Sequence, residues 1–384
     1  MKLMDLLNYR MMTDKKKIMA MKFLRRLWVV IQQVHPNLMP LIPLKMVEIT
    51  MEYGLSHMSP IGFALFGSIV AKLGDIKGGH KFTSLAKSLI DILKLRDISG
   101  EVFCVASDIL CFIEPFPLAN ENRKEIEAVA LAAGDVTWSC YSRVFYVTGT
   151  FWSGSKLSVS SEVMTHGRRF VMSRGHLTSD NYLLLLQQTI FKLIGDHESE
   201  IIPDDELKQR VLDNYPYALE IYYFQKTFAS FMLDNYERTN FTSQMHSWGE
   251  QGSSWTFENK CFLLKAEEQF SNDRLDLARA SYDKAISSAK AHKLVHEEAM
   301  AYELAAKFYF NINDFSTSLK YYTAAHEKYS EWGAYAKAKL LVQCIEDKFS
   351  TSLGDQSGPT ISFAAEFEIE SFDSESDQRK RKQP

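Results

Sequence analysis

The sequence predicts an all-α fold, a right-handed superhelix (solenoid) of antiparallel helix pairs, and three observations lead there. First, the C-terminal third matches itself when slid by forty residues: Phe262, Ala266, Phe270, Leu275, Tyr282 and Ala285 fall on Tyr302, Ala306, Phe310, Phe315, Tyr322 and Ala325. Second, each copy alternates small and aromatic residues at helical spacing, as a helix–turn–helix does when its aromatic knobs lodge against short side chains of a neighbour. Third, the alternating pattern of strands is nearly absent. Stacked units of this kind present grooves rather than one deep catalytic pocket, so binding is expected before chemistry.

Taken in order, residues 1–12 are a lead-in and a repeat domain is expected over 13–350. From Asp14 to about Val34 an amphipathic stretch carries Ile18, Met21, Phe23, Leu24, Leu27, Trp28 and Ile31. His35-Pro36-Asn37 and Pro40 end it, because proline disfavours helix in the residue before it. A partner helix, about Ile42 to Tyr53, ends at Gly54. The next pair, 59–95, places Phe63, Phe66, Gly67, Val70, Gly74-Asp75, Gly79, Phe82 and Ala86 at positions a helical hairpin requires. Glycine inside a helix costs about 0.5–1 kcal/mol relative to alanine, so Gly67 implies a second helix crossing too closely for a side chain. Gly74 suits the left-handed residue that closes a helix, and Asp75 can cap the helix that follows.

Further pairs are expected at Ile98–Phe116 with Leu118–Ala133, divided at Pro115 and Pro117, and at Asp135–Phe151 with Ser155–Ser173, divided at Trp152-Ser153-Gly154. A single helix at about Thr178–Ile194 precedes an acidic loop, Pro203-Asp204-Asp205-Glu206. Helix resumes over Tyr217–Asn235, a polar segment follows to Thr256, and the clearest repeats occupy 256–293 and 295–332. A capping helix over 334–349 is expected to bury Ala336, Leu340 and Ile345 and to turn Lys337 and Lys339 outward. Residues 351–384 have low apolar content and blocky charge, and are expected to be a disordered tail. The run Arg379-Lys380-Arg381-Lys382 admits nuclear import, but a solvated tail and a cytoplasmic location are the expectation.

Composition bounds the function. With 46% hydrophobic and 24% charged residues in 384, a large core is available. The formal net charge of −4 gives no long-range pull toward nucleic acid. Cys104, Cys111, Cys140, Cys261 and Cys344 are scattered without a CxxC pair, which reads as buried free thiols. No run of about 18 uncharged apolar residues exists, so no membrane insertion is expected.

Two levels of resemblance follow from these residues. Phe63, Gly67, Gly74 and Gly79, and again Tyr302, Ala306, Tyr309, Ser318, Tyr322 and Ala325, are similar to the tetratricopeptide class. A narrower likeness rests on Ala266-Glu267, on Ala278-Arg279 with Tyr282-Asp283, Ala285-Ile286 and Ala289, on His296-Glu297-Glu298-Ala299 with Ala301, Glu303-Leu304-Ala305 and Phe308-Tyr309, and on Tyr329 with Trp332-Gly333-Ala334, Ala336 and Lys337. These segments resemble the helical-repeat region that follows the AAA-type predicted ATPase domain in large hybrids of PAS or GAF sensors, histidine kinases and serine/threonine-kinase-like domains. The likeness covers about residues 13–350 and is closest in the C-terminal repeats. It implies a tetratricopeptide-like solenoid and a role in protein–protein or interdomain contact during signalling.

The parent proteins' catalysis does not carry over. A phosphate-binding loop needs GxxxxGK[ST], and the nearest stretch, Gly74-Asp75-Ile76-Lys77-Gly78-Gly79-His80-Lys81, has a histidine before the lysine and sits where the repeat needs its turn. Kinase signatures are missing. His292 and His296 stand four apart, but the sequence places no third metal ligand. His296-Glu297 and His326-Glu327 lie in repeat-helix sequence rather than in a phosphoacceptor context. The expectation is therefore no enzyme, no cofactor and no metal, with a protein partner or other domains of a signalling protein bound through the repeats. An autonomous tetratricopeptide adaptor that docks short peptides or helices is the alternative.

Overall fold

The computed structural model describes residues 3–196, 202–203, 205–209 and 254–353. Among these residues there is no strand; an isolated parallel bridge joins Met11 and Leu55. The helices run α1 (Lys15–Val34), α2 (Leu41–Tyr53), α3 (Ser59–Lys72), α4 (Ile76–Leu93), α5 (Ser99–Asp108), α6 (Phe116–Ala132), α7 (Val136–Trp152), α8 (Leu157–Met172) and α9 (Leu177–Ile194). Then come α10 (Ser254–Ser271), α11 (Leu275–Ala291), α12 (Val295–Asn311), α13 (Phe315–Trp332) and α14 (Tyr335–Leu353). The helix expected over 217–235 and the tail beyond residue 353 lie outside the described residues.

One turn chemistry makes most of the hairpins. After α3, Gly74 adopts φ +113°, the Asp75 N–H reaches back to the Val70 carbonyl at 3.1 Å, and the Asp75 carboxylate accepts the Gly78 N–H at 2.7 Å. The helix thus ends in a left-handed residue with a six-to-one closure, and the next helix begins on a side-chain cap. Gly134-Asp135 repeats this between α6 and α7, with Asp135 N–H on Ala130 and its carboxylate under Trp138. Asn313-Asp314 repeats it between α12 and α13. Between α10 and α11, Asp273 takes the left-handed conformation and Arg274 closes onto Gln269 without a side-chain cap.

The pairing this produces differs from the sequence expectation by one helix. The tight hairpins are α3 with α4, α6 with α7, α8 with α9, α10 with α11 and α12 with α13, while α5 stands alone against α3, α4 and α6. The expected helix over Ile98–Phe116 stops at Asp108 and passes into a 3₁₀ turn at Leu110–Phe112. Pro117 does not divide a pair. It sits in the first turn of α6, where its missing N–H would have had no intrahelical partner. Residues 205–209 are helical, so Asp205 and Glu206 open a helical segment rather than lying in a loop; carboxylates suit the positive end of a helix.

Close helix crossings are built from small residues. A Cβ on Gly67 would stand 2.6 Å from the Gly79 carbonyl oxygen, and Gly79 is equally tight against the Gly67 carbonyl. Gly100 lies on Ala130, Gly149 on Asn120 and Arg123, and Gly167 on Val147, which extends the same device through α5 to α8. In the C-terminal repeats alanine takes this role: Ala266, Ala278, Ala285, Ala306 and Ala325 are fully buried beside Tyr282, Tyr309 and Tyr322. Enlarging Ala306 to leucine is expected to lower stability by about 1–3 kcal/mol through overpacking. An unchanged urea midpoint would show that the site can relax without cost.

Three cores result. One joins α1 to α5, and a second joins α10, α11 and α12. The third is shared between α7, α8 and α9 on one side and α12, α13 and α14 on the other. Across that third core Trp332 donates from Nε1 to the Ser155 carbonyl at 3.0 Å and packs on the Phe151 ring at 5.6 Å. The last repeats therefore do not end freely. They dock on the α7–α9 region. Residues 3–12 are also packed, with Leu6 and Met12 buried and Tyr9 donating to the Met51 carbonyl.

Candidate functional site

The residues singled out from the sequence are placed as framework. Phe63, Gly67, Gly74, Gly79, Ala266, Ala278, Tyr282, Ala285, Ala306, Tyr309, Tyr322 and Ala325 are buried, and Tyr302 is half-buried with its ring on Tyr321. Gly74 to Lys81 forms the α3–α4 turn and the start of α4, and the Asp75 carboxylate caps that helix by accepting the Gly78 N–H. His292 packs on Trp255, and among the described residues no group of three His, Cys, Asp or Glu is arranged to hold an ion. No helix among them is long and apolar enough to cross a membrane. Cys104 and Cys140 are buried, while Cys111, Cys261 and Cys344 are half-buried, and no disulfide joins any of them among the described residues.

The structure adds a feature that periodicity did not reveal, a buried ionic ladder linking the first helix of each repeat to the next. From α10, Lys260 pairs with Glu297 of α12 at 2.6 Å, and Asn259 donates to the same carboxylate. From α12, Glu303 accepts from Lys307 at 2.8 Å, from Lys337 of α14 at 3.1 Å and from the Tyr329 hydroxyl of α13 at 2.8 Å. Burial pushes the Glu303 carboxyl up, but the two ammonium groups and the tyrosine outweigh it and hold it at about 2. Lys337 is thus buried rather than outward. Leu340, expected inside, is 40% exposed. The cap helix also continues to Leu353, four residues past its expected end at 349.

His296 lies beside this ladder. Its ring stacks on Trp332 at 5.2 Å, approaches Trp152 at 6.4 Å, and abuts the α7–α8 turn at Gly154. Neither ring nitrogen has a hydrogen-bond partner, and the nearest charge is Glu297 Oε1 at 3.6 Å. Burial pushes its pKa down to about 4. An unfolded histidine titrates near 6.5, so between those values the unfolded chain binds more protons and stability falls with falling pH. The expected loss is nil above pH 6.5 and on the order of 2 kcal/mol by pH 5. Glu303 contributes the next loss only below its unfolded value, as pH falls from about 4.5 toward 2. Urea denaturation at pH 7 and pH 5 checks this: in His296→Phe the difference between the two midpoints shrinks, and an undiminished difference would assign it elsewhere.

A 460 Å³ cleft opens beside α1. Lys22, Arg25 and Arg26 of α1 line it together with His57, Met58 and Asp97. Arg25 is committed to the buried carboxylate of Glu101, with Nε 2.8 Å from Oε2, and His57 contacts Asp97 at 2.8 Å. Lys22 and Arg26 have no ion partner among the described residues, so the cleft keeps a positive rim. Met11, Met12 and Ser56 line it as well, and the Ser56 hydroxyl bonds to Ser59.

Comparison with known protein families finds none that matches the chain, and no curated protein is significantly similar to it.

Proposed function

We propose that the chain is a non-catalytic helical-repeat module for protein–protein or interdomain contact in signal transduction, of the tetratricopeptide-like kind and coiled as a right-handed superhelix. The observation that carries this reading is the recurring hairpin, a left-handed turn residue with a six-to-one closure and small residues at the crossing, in both halves of the chain. Such units differ at their surfaces and agree in their framework, so their specificity resides in side chains outside the repeat positions. The likeness of α10–α14 to the repeat region of ATPase and sensor-kinase hybrids supports a signalling partner and a cytoplasmic location. Nucleotide binding is not part of this reading, because the stretch from Gly74 to Lys81 departs from the phosphate-loop pattern and makes the α3–α4 turn.

An autonomous adaptor is the second reading. The docking of α12–α14 on α7–α9, which gives the last repeats a packing partner within the chain, is the observation that favours it. Affinity capture from native extract with the full chain as bait separates the two. Recovery of sensor-kinase or ATPase domains supports the first reading and recovery of unrelated clients the second. A reproducible absence of any partner, or saturable ATP binding in calorimetry, overturns the reading as a contact module without nucleotide chemistry.

A further inference from the structure

The outer face of α1 has a composition found on no other described helix. Its exposed residues with described side chains are Lys15, Lys16, Met19, Lys22, Phe23, Arg26, Val29 and Val30. Every one is basic or apolar. The helix contains six basic residues and no acidic one, in a chain whose formal net charge is −4. Met19, Phe23 and Val30 are 63%, 64% and 54% exposed, and they lie on one face with Lys15, Lys22 and Arg26, linked by steps of three and four residues. The inner face is satisfied: Met21 and Trp28 are buried in the first core, Arg25 is paired with Glu101, and the Lys17 ammonium sits 4.4 Å from the Tyr53 ring centre.

Lys15, Lys16, Lys22 and Arg26 have no ion pair among the described residues. The nearby acid Asp14 is engaged with the Lys16 and Lys17 backbone N–H groups. Apolar exposure continues past the C-terminal end of α1 at Leu38 and Leu41, and the positive cleft beside it shares Lys22 and Arg26. We propose that this face of α1 is a docking surface for an anionic lipid bilayer, with the helix lying in the interface and not spanning it.

Charge and apolarity together decide the partner. A helix in a bilayer interface buries apolar side chains about 5–10 Å deep while its lysines and arginines remain level with the phosphates. Long basic side chains can extend from beside Met19, Phe23 and Val30 to reach headgroups at that depth. A nucleic acid would use the cations but leave Phe23 and Val30 facing phosphate and water. Concentrating six cations and no acid on one helix of a chain with net charge −4 makes this face the one that attraction to an anionic bilayer favours.

Co-sedimentation of the full chain with vesicles tests this. The expected result is binding to vesicles containing phosphatidylserine, weak binding to phosphatidylcholine alone, and release as salt is raised. Lys22→Glu with Arg26→Glu is expected to lower partitioning about tenfold or more. Phe23→Ser is expected to lower it with the charge intact. All three positions are exposed, and far-UV circular dichroism checks that the variants fold. Absence of binding to phosphatidylserine vesicles, or binding that ignores the charge reversals, overturns the proposal. So does binding to polyglutamate or duplex DNA as strong as to vesicles and indifferent to Phe23→Ser, since a purely ionic face has no need of the ring.

Discussion

Truncating Glu303 to alanine is expected to destabilise the protein by about 3–5 kcal/mol, the cost of breaking a buried ion pair from one side. The carboxylate is 4% exposed and serves Lys307, Lys337 and the Tyr329 hydroxyl at once. Lys307 is half-buried and can turn to water when the carboxylate is lost. Lys337 cannot, because it is 5% exposed between α12 and the body of α14. Its unpaired charge carries most of the penalty, which gives the control: Glu303→Leu combined with Lys337→Met removes both charges and is expected to recover much of the loss. The urea midpoint is the measurement, with an unchanged slope as the sign that only stability has moved. A double variant as unstable as Glu303→Ala alone would place the cost in packing around Tyr329 instead.

Gly67→Val is expected to cost about 3 kcal/mol. The added Cβ meets three neighbours of different stiffness: Thr83 Cγ2 at 2.9 Å and Phe82 Cβ at 3.0 Å belong to side chains, but the Gly79 oxygen at 2.6 Å is backbone inside α4. A side chain can rotate away. A helix carbonyl moves only with its helix, so α3 and α4 must part and the Phe66–Phe82 ring contact at 4.9 Å must loosen. Gly67→Ala decides the sign of the effect. In a helix with room, alanine stabilises by about 0.5–1 kcal/mol, so a loss of stability for Gly67→Ala confirms the crossing and a gain refutes it.

The parts of this fold that could be read from the sequence are those with local chemistry. Gly74-Asp75 announces its turn because the residues that make the left-handed bend and the cap are adjacent, and the forty-residue register locates α10 to α13 because Ala266 and Ala306 answer the same steric need. Gly134-Asp135 carries the same signal, and reading it as a hairpin turn would have paired α6 with α7. Pro117 obscured that pairing, since proline opens a helix as readily as it ends one. The apolar stripe of α14 puts Lys337 outside and Leu340 inside, the reverse of what the structure shows, because such a stripe assumes that the facing surface is apolar. The surface facing Lys337 is Glu303, and no spacing within α14 reports a carboxylate on α12. His296 reads in the sequence only as part of a repeat boundary; its aromatic enclosure comes from Trp332 and from Trp152, the latter far away in sequence. The outer face of α1 was in plain view as a basic, apolar helix, but only the structure shows which of its cations are spent inward.

The contact between Trp332 and Ser155 spans 177 residues. Hairpins such as α3–α4 or α12–α13 close loops of a few residues and can form early, whereas the shared core of α7–α9 with α12–α14 must wait for two distant parts of the chain to meet. The chain is therefore expected to mature in two stages, with independent hairpins first and a later docking that seals Trp332, His296 and the adjoining ladder from water. During synthesis that second stage cannot begin until α13 has left the ribosome, so the α7–α9 surface spends an interval uncovered, which marks it as the place where a nascent or truncated chain is most prone to associate with others.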